Sequence, residues 1–158
     1  MTENANLKVN HNTETGPSQV ATFKVGSMLF GIDVAVVQEV IRFQRMTPVP
    51  LGPTVVKGLI NLRGQIITAI DLREALNMEP LEPDRAPMNV VVRTENDHLS
   101  ILVDKIEDVL NLDYSRLETT PETVEESYQD LLQSVYKLER GLLLILNAER
   151  MAKFSNEF

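Results

Sequence analysis

Residues 57–73 read KGLINLRGQIITAIDLR, and the punctuation of that run decides the fold. Two apolar segments, 59–62 and 66–70, stand on either side of Arg63-Gly64. A two-residue turn between paired strands demands positive φ, which glycine adopts without steric cost, so the run is predicted to be a β-hairpin turning at Gly64. Its apolar residues do not alternate with polar ones. Strands apolar on both faces are buried on both, which predicts a place inside a barrel or sandwich.

Short apolar runs broken by Gly, Pro, Asn and Asp continue in both directions. Toward the N-terminus, the alternation from Val20 to Val25, the Gly26-Ser27 turn and residues 28–32 predict a second hairpin. Residues 33–43 fit two descriptions: Val34, Val37 and Ile41 sit at helical spacing, while the β-branched density of VAVVQEVI favours a bent or bulged strand. The prolines of TPVPLGP (47–53) force an extended or turning path, and 54–57 are predicted to form one helical turn. Toward the C-terminus, 74–78 read as a short helix ended by Pro80, followed by the connector MEPLEPDRAP. Residues 88–93, 99–104 and 106–112 are predicted strands, with a turn at Glu95-Asn96-Asp97. The acidic stretch 117–132, carrying Glu118, Glu126 and Asp130, reads as a solvated loop or helix face. A last strand at 142–146 leads to Asn147, a good N-cap for a helix over 148–154. Residues 1–18 hold one Leu and one Val and are expected to be a disordered tail, with 155–158 as a short C-terminal tail around an ordered unit at 19–154.

With 23 acids against 15 bases the net charge is −8, which argues against nucleic acid and anionic membrane surfaces as partners. Zero cysteines and two histidines exclude a disulfide framework, a thiol nucleophile and a Cys- or multi-His zinc site, so neither metal nor cofactor is expected. The N-terminus is polar and no apolar run approaches ~20 residues, so neither signal peptide nor membrane-spanning helix is expected, and a cytoplasmic protein is the default. The inventory for catalysis is thin. His11 lies in the tail and His98 at a strand start; Asp33, Glu39, Asp71 and Asp104 each lie in or beside an apolar strand, but nothing in their spacing requires any two to meet for acid–base work. More conspicuous are Glu39 and Arg63, charges set within strongly apolar sequence. Either they pair with each other, because an unpaired buried charge is costly, or both point to solvent.

These residues also carry a resemblance. GIDVAVVQEV (31–40), TPVP (47–50), KGLINLRGQIITAIDLR and LSILVDKIEDVL (99–110) are similar to the CheW family of bacterial chemotaxis coupling proteins. The similarity extends from about Gln19 to Ala152, and NLRG followed by an apolar strand and DLR is its most specific part. It implies a mainly β fold of two side-by-side five-stranded barrels related to SH3 barrels, with a helix near the C-terminus. It implies no enzyme, but a scaffold linking the cytoplasmic tip of chemoreceptors to the regulatory domain of a CheA-type histidine kinase. The alternative within the fold is a CheW-like adaptor of a surface-sensing or pilus-linked chemosensory pathway.

Carried over residue by residue, the resemblance makes Glu39 and Arg63 a functional charged pair. It places Val34 and Val37 on the second strand, with Ala21 on the first and Ile106 after VDK, in a groove between barrels where a receptor helical hairpin docks. Gly58, Asn61, Leu62 and Gly64 belong to the NLR turn motif, the glycines standing where a side chain would obstruct the turn or a partner's backbone. The chain departs from the family in having Thr68 where proline is usual, and Ser134 and Tyr136 where small glycines precede the last strand.

Overall fold

The computed structural model describes residues 18–119 and 126–155. The expected N-terminal tail lies outside the described residues except for Ser18, whose carbonyl accepts from the Leu112 N–H at 2.7 Å. Of the expected C-terminal tail, Ser155 instead ends the last helix and 156–158 lie outside the described residues.

Along the chain run β1 (Gln19–Val25), β2 (Met28–Asp33), a 3-10 turn (Val34–Val36), β3 (Val37–Ile41), β4 (Val56–Leu62), β5 (Gln65–Asp71) and helix α1 (Leu72–Ala75). There follow β6 (Met88–Arg93), β7 (His98–Val103), β8 (Lys105–Asn111), a second 3-10 turn (Tyr114–Arg116) and β9 (Leu117–Glu118). Helix α2 (Glu126–Gln129), β10 (Leu132–Leu138), β11 (Gly141–Leu146) and α3 (Ala148–Ser155) complete the order. One sheet runs β8-β1-β2-β11-β10-β9 and the other β3-β6-β7-β5-β4. The mainly β class holds. The second sheet has the expected five strands, and the first gains a sixth because Leu117 and Glu118 pair with Tyr136 and Val135.

The uniform apolar runs are explained by burial on both faces. Val90 and Val92 face the large core shared by the two sheets, while Val91 points the other way, onto Ile60 and Ile67 inside its own sheet. Likewise Phe23 and Val25 meet the shared core, whereas Val20 joins Leu143, Ile145 and Tyr136 within the first sheet. Three cores result, one inside each curled sheet and one between them. The five-stranded sheet closes on itself because the chain leaving β3 returns to the opposite edge, where Thr47 and Leu59 exchange two backbone hydrogen bonds of 2.8 Å. Gly58 makes this approach possible, since a Cβ there would lie 2.8 Å from the Thr47 carbonyl oxygen.

Several expectations are corrected. The 57–73 run is a hairpin, but β4 lies at a sheet edge and Ile66 is 58% exposed, so its faces are not uniformly buried. Residues 54–57 form no helix: the Val56 N–H turns back to the Pro53 carbonyl and the strand begins at once. The short helix starts earlier than expected, at Leu72, because the Asp71 carboxylate caps it by accepting from the Arg73 N–H at 3.0 Å. Neither Val34 nor Val37 lies on the second strand: Val34 opens the 3-10 turn and Val37 opens β3, because the chain there crosses from one sheet to the other. The acidic stretch is not wholly solvated, for Leu131 and Leu132 are buried and Leu132 opens β10.

Candidate functional site

The chain passes between the sheets at 34–36 and again at Asp104, which alone separates β7 from β8. At the first crossover the Asp33 carboxylate accepts from the Ala35 N–H at 2.9 Å, and Arg93 of β6 donates to the Ala35 carbonyl at 3.3 Å. These bonds fix one turn of 3-10 helix and deliver Val37 to the start of β3. Val37, Ala21 of β1 and Ile106 of β8 are half-buried against the shared core, and Val34, close before Val37 in the chain, is half-buried as well. The expected groove residues therefore flank the two crossovers.

A register shift between Val37 and Glu39, opposite Val92 and Val91, follows. Glu39 reaches the turn between β4 and β5, where Arg63 donates to its carboxylate. The pairing left open by the sequence is thus made. Both Arg63 (φ 53) and Gly64 (φ 85) adopt the left-handed conformation, as a type I′ turn requires, and the Asn61 carboxamide oxygen accepts from the Gly64 N–H at 3.0 Å. Leu62 packs against the small core of the same sheet. Arg63 keeps 68% of its side chain exposed against 21% for Glu39, so the pair is a surface one on the arginine side. The space beside Gly58 is taken by the chain's own Thr47.

A second ion pair escaped the sequence reading. Arg73 of α1 grips Asp104 with both ends of its guanidinium, Nε to Oδ1 at 2.9 Å and Nη2 to Oδ2 at 2.6 Å. The Gly26 N–H, in the β1–β2 turn, donates to the same Oδ2 at 2.7 Å, and Arg73 Nη1 donates to the Glu79 carbonyl at 2.5 Å. Side-chain exposure is only 16% for Arg73 and 8% for Asp104. Burial pushes the Asp104 carboxyl up, yet the hydrogen bonds from Arg73 and Gly26, with the charges of Arg73 and Arg85, outweigh it and hold the group below its ordinary value. The hydrogen bond to Asp104 raises Arg73 in turn. The signal was present in DLR and VDK, a charge at the end of each apolar strand, but the partners lie 31 residues apart and in different motifs.

The four strand carboxylates weighed as acid–base candidates are all engaged in holding structure. Asp33 and Asp71 cap turns, with Lys57 3.7 Å from Asp71, while Glu39 and Asp104 hold arginines. Among the described residues no group of three or more His, Asp or Glu is placed to bind a metal. His98 Nδ1 lies 3.0 Å from the Gln65 carboxamide nitrogen, its donor. A half-open cavity of about 670 Å³ lies elsewhere, on the six-stranded sheet between Thr22, Lys24, Leu110, Leu138 and Leu142.

The model for the CheW-like domain matches residues 19–155. The chain belongs to the CheW-like domain family. Among curated CheW-family relatives, "Chemotaxis protein CheW" of Bacillus subtilis is 29% identical over 135 residues, covering 85% of this chain and 86% of its own. The protein of the same name from Klebsiella aerogenes is 28% identical over 138 residues, with 87% and 83% covered. That of Treponema pallidum is 26% identical over 137, with 84% and 81% covered. Among solved structures, the scaffolding protein TtCheW of Thermoanaerobacter tengcongensis superposes with a TM-score of 0.75 at 24% identity, over 84% of this chain and 90% of that one, and shares the fold. As a CheW-family chain this is a chemotaxis adaptor and not an enzyme. No helix among its described residues is long and apolar enough to cross a membrane.

Proposed function

We propose that this CheW-family chain couples the cytoplasmic tips of chemoreceptors to the regulatory domain of a CheA-type histidine kinase, and joins membrane-associated receptor arrays through those partners. The observation that carries the proposal is that Ala21, Val37 and Ile106, on three different strands, are each half-buried against the core shared by the two sheets, with Val34 half-buried at a crossover between them. A receptor hairpin presents helix ridges. Short aliphatic side chains, half-buried and backed by a rigid core, receive such ridges at little entropic cost. The kinase domain binds elsewhere, by the family resemblance, with Glu39 and Arg63 near both the receptor and the kinase surfaces.

The test is Val37→Glu, with both partners titrated separately. A docked helix would desolvate the new carboxylate without offering it a partner, a loss of several kcal/mol that abolishes micromolar binding. Kinase binding survives, and circular dichroism reports a folded protein. Loss of both partners from a protein that is still folded would contradict separate surfaces, and unfolding would make Val37 ordinary core.

A further inference from the structure

Among the described residues the two sheets are joined by apolar packing, with directed contacts where Arg93 meets the Ala35 carbonyl, where the Glu95 N–H meets the Glu149 carboxylate, and at Asp104. Hydrophobic contact is non-directional, so the shared core of Phe23, Phe30, Val90, Ile101 and their neighbours holds the sheets together without by itself defining one angle between them. Hydrogen bonds to a fixed fork are directional. At the second crossover such bonds converge on one carboxylate: Arg73 reaches it from the five-stranded side and Gly26 from the six-stranded side, while the Asp104 N–H donates to the Lys24 carbonyl at 3.0 Å. Ile106 lies two residues beyond, opposite Phe23, and Ala21 is on the same strand as Phe23. Across the strip, Val34 and Val37 belong to the other crossover. A change in the angle between the sheets therefore alters the spacing of Ile106 and Ala21 from Val37.

We infer that Asp104, held between Arg73 and Gly26, is a positioning residue that sets the angle between the two sheets and thereby the shape of the receptor-docking strip. The inference rests on the docking proposal above for its functional half only; the angle is a property of the free chain. In Asp104→Asn one oxygen of the carboxylate becomes an NH2 group, which sets donor against donor toward Arg73 in either orientation, and toward Gly26 as well when it stands in place of Oδ2, and so loosens the clamp.

The chain has no cysteine, so spin labels attach only where cysteines are introduced, at exposed Gln133 on β10 and exposed Ile66 on β5. In the otherwise unaltered chain the interspin distance distribution is narrow, and with Asp104→Asn it broadens or shifts while circular dichroism is retained. Without labels, the same variant loses about tenfold or more in affinity for a receptor-tip hairpin and keeps its affinity for the kinase regulatory domain. Arg73→Gln, which removes the fork and keeps the carboxylate, gives the same two changes. An unaltered distance distribution in either folded variant overturns the inference, as does equal loss of both partners. Loss of the fold in both variants also overturns it, since the pair would then hold the fold and not the angle. If the distances broaden but the parent chain never binds the hairpin, the docking proposal fails and the clamp stands.

Discussion

Replacing Gly58 by alanine tests whether closure of the five-stranded sheet depends on a missing side chain. The added Cβ would lie 2.8 Å from the Thr47 carbonyl oxygen, 3.2 Å from its carbon and 3.0 Å from Met46 Cβ. Two of those atoms are backbone, so no flexible side-chain end can swing aside. Thr47 must retreat from β4, and the two 2.8 Å hydrogen bonds it exchanges with Leu59 lengthen together. Each is worth about 1 kcal/mol net, and overpacking adds roughly 1 to 3 kcal/mol, while loss of glycine's freedom in the unfolded chain returns about 0.4 to 1 kcal/mol. The balance is a destabilisation of about 3 kcal/mol, or a fall in Tm of about 10 °C for a domain of this size. Urea titration should show a lower midpoint with an unchanged slope, and hydrogen exchange should quicken first at the Thr47 and Leu59 amides. Full stability with undiminished protection at Leu59 would refute the steric argument. Gly64→Ala is the contrast: no atom lies within 4 Å of its Cβ, so only the cost of φ +85°, about 1 kcal/mol, remains, and protection at Thr47 is kept.

The Arg73–Asp104 pair predicts acid lability with a definite sign. The folded carboxyl titrates below its unfolded value, so the stabilisation is complete above the unfolded value of about 4 and is lost as pH falls through the folded one; Asp104→Asn should cost about 3 kcal/mol at neutral pH and flatten the stability profile below pH ~4, and a profile of unchanged steepness would count against the pair. For Glu39 and Arg63 a double-mutant cycle of charge reversals should give a coupling of only about 0.2 to 1 kcal/mol, fading with salt, because Arg63 is mostly exposed; additive effects would show no coupling, and more than ~2 kcal/mol would show that exposure misjudges the pair. The Ser134 hydroxyl is buried at a register shift in β10 and has no hydrogen-bond partner among the described residues, so Ser134→Ala should raise stability by roughly 1 kcal/mol in thermal melts, and a loss would point to an unseen bond.

Local signals carried much of the fold. Gly26 and Gly64 marked their hairpins because only a few backbone conformations reverse a strand in two residues. Asn147 marked the last helix, and its carboxamide oxygen does accept from the Arg150 N–H at 3.1 Å. Strand β10 was not legible: the register shift between Leu132 and Ser134 breaks the two-residue period that would have revealed it. The 34–41 segment read two ways because it is two things, a 3-10 turn and then a strand.

By itself, then, the amino-acid sequence determined most of the strand segments, where most of them turn, and that Glu39 and Arg63 stand out as charges among apolar residues. Those features depend on neighbours within a few positions, which the order of residues records directly. The tertiary structure alone decided that β2 pairs in parallel with β11 and β5 with β7, that Gly58 serves Thr47, and that Asp104 meets Arg73 and Gly26 at the seam between the sheets. Each of these is a meeting of groups distant in the chain, and it exists only once the three cores have formed and brought the strands that carry them side by side.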